Sequence, residues 1–264
     1  MKKEQLDKLK AWFDGFVAGF YGSDEYVNAN IKLKEEHSKR VCGESIYLAG
    51  ELGLGENERL LAETIGLLHD VGRFPQFVKY KTYHDPRSVN HCQLAVNVIK
   101  EHKILDDFEP AEKEIILKAI ELHGVKELPN NLDDRTLLFC RLIRDADKLD
   151  IYRVVIRGYT QQKEDPENFK FEIELPDEPE CTPDIIESIL KGENIDYAKL
   201  RTWNDMKLIN LAWVYDVNLI ATLKRIKKNR YLESIIEFLP DTPEIRQVRE
   251  KVLSYVESRI NQSS

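Results

Sequence analysis

Histidine is scarce in this chain of 264 residues, with six copies, so the places they take along their helices are informative. Four fall on apolar helical faces. His37 shares a face with Leu33 and Val41, His69 with Leu61, Ala62 and Ile65, His91 with Leu94, Ala95 and Val98, and His123 with Ile116, Ala119 and Ile120. One imidazole on an apolar stripe is ordinarily a core residue hydrogen-bonded to a carbonyl. Four in one small core would cost roughly 1–3 kcal/mol each if left without partners, whereas a shared cation satisfies them together. The pattern predicts convergence on a metal.

Carboxylates supply the rest of the expected site. Asp70 follows His69 at the end of the apolar run TIGLLHD, and Asp147 lies inside RLIRDADKLDIYRVVI. Helical periodicity sets Asp147 on a face with Cys140, Ile143 and Ile151, and sets Asp145 nearer Arg141 and Lys148. Asp147 is therefore the expected ligand. Asp145 and Asp150 are expected to orient neighbouring cations or exposed backbone, because buried unpaired carboxylates are costly. Cys42, Cys92, Cys140 and Cys181 are far apart and form no CxxC pair, so they read as reduced filler. Imidazole and carboxylate without thiolate favour Mn, Fe, Co, Ni or Mg over a structural zinc site.

His37 in EHSKRV, the doublet His69-Asp70 in LLHDVGRF and Asp147 in DADKLD resemble the successive motifs of the HD superfamily of metal-dependent phosphohydrolases, over about residues 25–160. The resemblance implies an all-α HD-domain helical bundle whose first metal is held by His37, His69, Asp70 and Asp147. His91 and His123 are similar to the additional histidines of the two-metal branches, in which the Asp of the doublet bridges both ions. Those branches often carry a further histidine near the last position, where this chain has Gly124. One or two divalent ions are thus expected as cofactors. The activity implied is hydrolysis of a small phosphate ester, a nucleotide being the expected kind, by attack of metal-bound hydroxide.

Cationic side chains near the ligand segments would complete a phosphate site. Arg73 and Lys148 each sit within a turn of a ligand and are expected to act with Asp70 in catalysis. Arg40, Lys79, Lys81, His84 and Arg87 are the substrate-binding candidates. Against them stands the general solvation or structural pairing of surface cations; Arg40 could instead brace a carboxylate, and His84 could simply be a solvated loop residue. Phe74, Phe77, Tyr80 and Tyr83 would stack on a nucleobase or cap the core. Two other functions share the resemblance: a di-iron oxygenase of HD architecture, and a regulatory module that kept the fold without chemistry. The intact ligand set speaks against the second.

The elements that must position these residues read as helices almost throughout. Helical periodicity predicts them over residues 4–20, 26–52, 57–71, 87–102, 110–123, 134–157, 183–191, 197–228, 230–238 and 242–260. Leu52 to Gly55 reads as a helix end followed by a turn, and Gly72 to Pro86 as an aromatic-rich loop near the site. Phe169, Phe171, Ile173 and Leu175 alternate with charged residues, the one period-two signal. The expected organisation is one all-α domain over 1–264, with the HD core at 25–160 and a C-terminal helical extension at 161–264. The amphipathic helix holding Trp213 and Tyr215 would pack in the core or support a homo-oligomer.

Composition narrows the partners. The chain is 42% hydrophobic and 33% charged, which suits a folded globular protein. With net charge −8, pI near 5.4 and no basic stripe, duplex nucleic acid is a poor partner. A small phosphorylated substrate remains compatible, because a bound cation reverses the local field. No run approaches the roughly 20 apolar residues of a membrane span, and the N-terminus lacks a signal peptide's apolar centre. The cytoplasm is the expected compartment.

Overall fold

Apolar residues spaced by three and four positions give the N-terminal part of the chain a series of one-faced helices. In a computed structural model, which describes residues 1–167, 175–193, 195 and 197–262, helix α1 (Lys3–Ala18) buries Leu6, Leu9, Phe13 and Val17. Helix α2 (Glu25–Glu51) starts where the Asp24 side chain accepts a hydrogen bond from the Val27 amide at 3.1 Å, satisfying one of the helix's free N–H groups. It ends at Leu52, and Gly53 then adopts φ 68°. Helices α3 (Glu56–Leu68), α4 (Arg73–Tyr80), α5 (His91–Glu101), α6 (Pro110–Leu122) and α7 (Asp134–Glu164) follow.

The chain divides into two compact units, Met1–Asp150 and Ile151–Ser264. Within the first, α3 lies against α1, α2 and α6, while α4 lies against α2 and α5, and α5 against α6. Phe13, Phe74 and Phe77 are among the largest fully buried side chains there. The second unit contains α8 (Pro183–Lys191), α9 (Trp203–Ala212), α10 (Ile220–Lys228), α11 (Tyr231–Ile236) and α12 (Pro243–Asn261). Helix α12 buries Ile245, Val248, Val252 and Val256 and packs against α8, α10 and α11. Tyr152 packs edge-on to Trp213 and stacks on Tyr231.

The described residues are all-α and contain no strand, and no helix among them is long and apolar enough to cross a membrane. Three local expectations are corrected. Gly72 to Pro86 is not one loop: Arg73–Tyr80 is helical and stops at Lys81, whose φ of 56° is left-handed. Residues 197–228 are not one helix, because the Thr202 hydroxyl caps α9 while the Asp205 carboxylate accepts from the Thr202 amide, a reciprocal pair that starts a new helix. The helix expected over 134–157 runs on to Glu164. Phe169, Phe171 and Ile173 lie outside the described residues; Leu175 is half-buried against the cluster of Tyr159, Trp203 and Met206.

One close approach sets the spacing around the site. A Cβ at Gly72 would lie 2.4 Å from the His91 carbonyl oxygen and 2.6 Å from the Ala95 nitrogen, so only glycine lets the α3–α4 turn meet the start of α5. Gly72→Ala is expected to destabilise the protein by about 1–3 kcal/mol, the usual cost of overpacking. Gly15→Ala, in α1 with open space around it, is expected to stabilise by about 0.4–1 kcal/mol. Chemical denaturation of the two variants checks the opposite signs.

Candidate metal centre

Each of the four inward histidines is held through Nδ1 by an atom that can only accept. His37 Nδ1 donates to Asp150 Oδ2 at 2.7 Å, and His91 Nδ1 to Asp85 Oδ2 at 2.6 Å. His69 Nδ1 donates to the Gly66 carbonyl at 2.8 Å, and His123 Nδ1 to the Ile120 carbonyl at 2.7 Å. Carbonyls and carboxylates have no proton to give, so the Nδ1 proton is fixed in all four rings and Nε2 is left to face inward.

These four Nε2 atoms form two pairs, 3.3 Å apart for His37 and His69 and 3.1 Å apart for His91 and His123. Asp70 lies between the pairs. Its Oδ2 is 3.5 Å from His37 Nε2 and 3.6 Å from His69 Nε2, while its Oδ1 is 3.8 Å from His91 Nε2 and 3.7 Å from His123 Nε2. Asp147 Oδ1 adds a contact of 3.1 Å to His37 and 3.8 Å to His69. Nitrogens bound to one ion at about 2.0–2.1 Å stand about 2.8–3.4 Å apart for angles between 90° and tetrahedral. Both pairs match that span, and all four imidazoles are buried. The residues therefore fit two divalent ions, one at His37, His69 and Asp147 and one at His91 and His123, with Asp70 facing both.

The electrostatics agree. Burial opposes charge on Asp70, yet Lys34, His69 and the neighbouring cations hold its carboxyl well below the ordinary range. Asp147 is also held low against burial, by its hydrogen bond to His37. Burial pulls His69 down to about 4. His37 is raised, because Asp147 and Asp150 outweigh burial and Lys34, and His123 is raised because Cys92 and Asp70 outweigh burial. When no ion is bound, the raised His37 and His123 thus offset the neighbouring carboxylates and the Cys92 thiol.

The elements explain the positions. His69 and His123 are the C-caps of α3 and α6, and each ring reaches back three residues to a carbonyl of its own helix. Arg144, buried in α7, donates to the carbonyls of His123, Val125 and Lys126, which fixes the α6 end as cations at a helix C-terminus do. His91 opens α5, where the Asn90 side chain accepts from the Gln93 amide at 2.8 Å.

Among the expected cations, Arg73 Nε lies 3.5 Å from Asp70 Oδ1, and its Nη1 donates to Gln76, to the Tyr83 carbonyl and to Asp85. It ties the following loop to the site. Lys148 is half-buried beside Asp147. Arg40 is committed to Asp150 through Nε at 2.6 Å and Nη2 at 3.0 Å, the carboxylate-bracing role. Lys79, Lys81, His84 and Arg87 are exposed; Lys79 lies over the Tyr80 ring and Lys81 pairs with Asp24, and the structure does not bring these four to the histidines. Phe74 and Phe77 are core residues. Tyr83 donates its hydroxyl to the Asn30 carbonyl.

Two placements differ from the sequence reading of faces. Leu33 is exposed although it shares the His37 stripe, and Asp145 is fully buried, as are its neighbours Leu142 to Ala146, because α7 is enclosed on more than one side there. Three residues at the site escaped the sequence. Lys34 donates to Asp70 Oδ2 at 2.8 Å. Asp85 holds His91. Cys92, read as filler, lies with its Sγ 3.4 Å from His91 Nε2 and 3.8 Å from His123 Nε2. Burial opposes its ionisation, but His123 and His91 draw the thiol down to about 6.

Residues 35–152 match the family model of the HD domain, an all-α fold as the described residues are. HD domain proteins bind divalent metals and are mostly metal-dependent hydrolases. No curated protein and no solved structure matches the chain significantly.

Asp150→Asn and Asp85→Asn are each expected to lower metal affinity about 10–100-fold, the usual cost of disturbing the partner of a ligating imidazole. Each should weaken only its own position in a two-site metal titration. The pH dependence has a definite sign. Above the ordinary imidazole value of 6.5, metal-free folded protein keeps protons on His37 and His123 that the unfolded chain has lost, but the one on His123 is offset by the proton that Cys92 has given up. The stability carried by His37 therefore falls as pH rises through its raised value. A cation must expel those protons, so its affinity rises over the same range. The gap in Tm between manganese-loaded and chelator-treated protein should widen from pH 6.5 upward.

Proposed function

We propose that this chain is a divalent-metal-dependent phosphohydrolase acting on a small phosphate ester, a nucleotide being the expected class. The observation that carries the reading is the convergence of four Nε2 atoms on the two oxygens of one buried carboxylate, Asp70. Divalent ions held there would activate water near neutral pH and neutralise charge on the non-bridging phosphate oxygens.

The chain's own residues would do the rest. Asp150, Asp85 and the carbonyls of Gly66 and Ile120 hold each imidazole in the tautomer that presents Nε2 inward. Lys34, with its Nζ on Asp70 and 5.4 Å from the centre of the Tyr83 ring, is the cation best placed to meet a phosphoryl oxygen. Arg73 keeps Tyr83 and Asp85 in register with the site through the bonds described above. Burial of the ligands keeps bulk water from screening these charges.

Wild type and Asp70→Ala, purified without chelator, would be analysed for bound metal and assayed against nucleoside monophosphates, cyclic nucleotides, dinucleoside polyphosphates and simple phosphoesters with Mn, Co, Ni or Mg. Metal-dependent phosphate release should fall more than about 100-fold in Asp70→Ala, since disturbing a ligand's partner alone costs up to that much. A wild type that stays metal-free and inactive after metal addition would sink the reading. Retained iron without hydrolysis would move it to oxygen chemistry.

A further inference from the structure

We propose that Cys92 is a thiolate ligand of the second metal position, completing a set of His91, His123, Cys92 and Asp70 that takes a thiophilic divalent ion such as zinc, cobalt or iron. The proposal rests on the metal-centre reading above and goes further, because it makes the two positions chemically unlike.

The geometry is that of a coordination sphere. Cys92 is buried, and its Sγ, the His91 Nε2 and the His123 Nε2 form a triangle with sides of 3.1, 3.4 and 3.8 Å. An ion bonded to sulfur at about 2.3 Å and to nitrogen at about 2.0–2.1 Å separates the two by about 3.5 Å at a tetrahedral angle. The three side chains form a cluster whose ligand atoms lie within 4.8 Å of one another. Asp70 Oδ1, 3.8 and 3.7 Å from the two nitrogens, takes the fourth corner.

Gly124 provides an independent indication. A Cβ at that position would lie 2.8 Å from Cys92 Sγ and 3.3 Å from the His91 ring. Any other residue directly after His123 would therefore displace the thiol from the two imidazoles. The contrast with Cys42 is informative as well: that thiol donates to the Glu63 carbonyl at 3.5 Å, an ordinary structural bond, whereas Cys92 faces the inward nitrogens of two ligating rings.

Softness then separates the positions. His37, His69, Asp147 and Asp70 offer only nitrogen and oxygen, a set open to Mg, Mn or Fe, whereas a sulfur ligand selects the softer ions. The second position would hold its ion tightly and the first would exchange.

The test uses the whole chain, stripped of metal and titrated with Co(II). Wild type is expected to bind two cobalt ions per chain, with a thiolate-to-cobalt charge-transfer band in the near ultraviolet that saturates with one of them. Cys92→Ser should lose that band and bind its second cobalt at least about tenfold more weakly, and Gly124→Ala should weaken the band. Two bound cobalt ions with no such band in wild type, or a band that survives in Cys92→Ser, would overturn the thiolate assignment and leave the metal centre standing. A wild type that binds no cobalt would overturn both. Should Cys92→Ser fail to fold, X-ray absorption on zinc-loaded wild type decides: a sulfur shell at about 2.3 Å supports the ligand, and a shell of nitrogen and oxygen alone refutes it.

Discussion

A carboxylate with 2% of its surface exposed is a severe constraint on a helical core, and Asp70 is that carboxylate. Leaving it charged and uncompensated would cost several kcal/mol, so apart from the Asp147 carboxylate the groups nearest it are positive or can become so. Lys34 and Arg73 approach from the protein side. The four imidazoles approach from the other directions, each able to carry a proton or to share a cation. Both of its oxygens are used, Oδ2 toward His37 and His69 and Oδ1 toward His91 and His123, so loss of this one side chain would leave two pairs of facing nitrogens with nothing between them.

The imidazoles are fixed by two different devices, one of each kind in each pair. His69 and His123 cap the C-terminal ends of their helices, and each uses Nδ1 to satisfy a carbonyl that the helix end would otherwise leave free. The ring direction is thereby written into the helix terminus itself. His37 lies within α2 and His91 opens α5, where the nearby backbone offers no free carbonyl in that role, and both take their direction from distant carboxylates, Asp150 and Asp85. Those carboxylates are in turn held by cations, Arg40 on Asp150 and Arg73 on Asp85. Arg40 and Arg73 thus act on the centre at one remove.

The four histidines, Asp70 and Asp147 could be found from the sequence because a helix repeats every 3.6 residues, and a polar residue that interrupts an apolar stripe is conspicuous. The residues around them could not be found that way. Lys34 reaches Asp70 across 36 positions, and a lysine on the mixed face of α2 carries no local mark of it. Cys92 is adjacent to His91 in sequence, and neighbours on a helix point about 100° apart, so periodicity separates two side chains that the first turn of α5 brings to the same nitrogen of His123. The helix break before Trp203 was readable, since Thr202 and Asp205 have the spacing of a capping box; the strong apolar run on either side masked it. The helical stretch Arg73–Tyr80 was hidden by Pro75, which reads as a breaker but is tolerated in a helix's first turn.

Two glycines follow ligands closely, Gly72 after Asp70 and Gly124 after His123, and each removes a Cβ that would press on the start of α5. That helix therefore docks at its N-terminal turn against backbone on one side and against the His123 segment on the other. The consequence is geometric: at Gly72 the close approach is to the α5 backbone at His91 and Ala95, and at Gly124 it is to the Cys92 thiol and the His91 ring. His37 and Asp147 project from the middles of the long helices α2 and α7, and His37 is placed by its bonds to Asp150 and Asp147. The two sides of the centre are thus set by different means, close packing around α5 on the His91 side and carboxylate bonding on the His37 side.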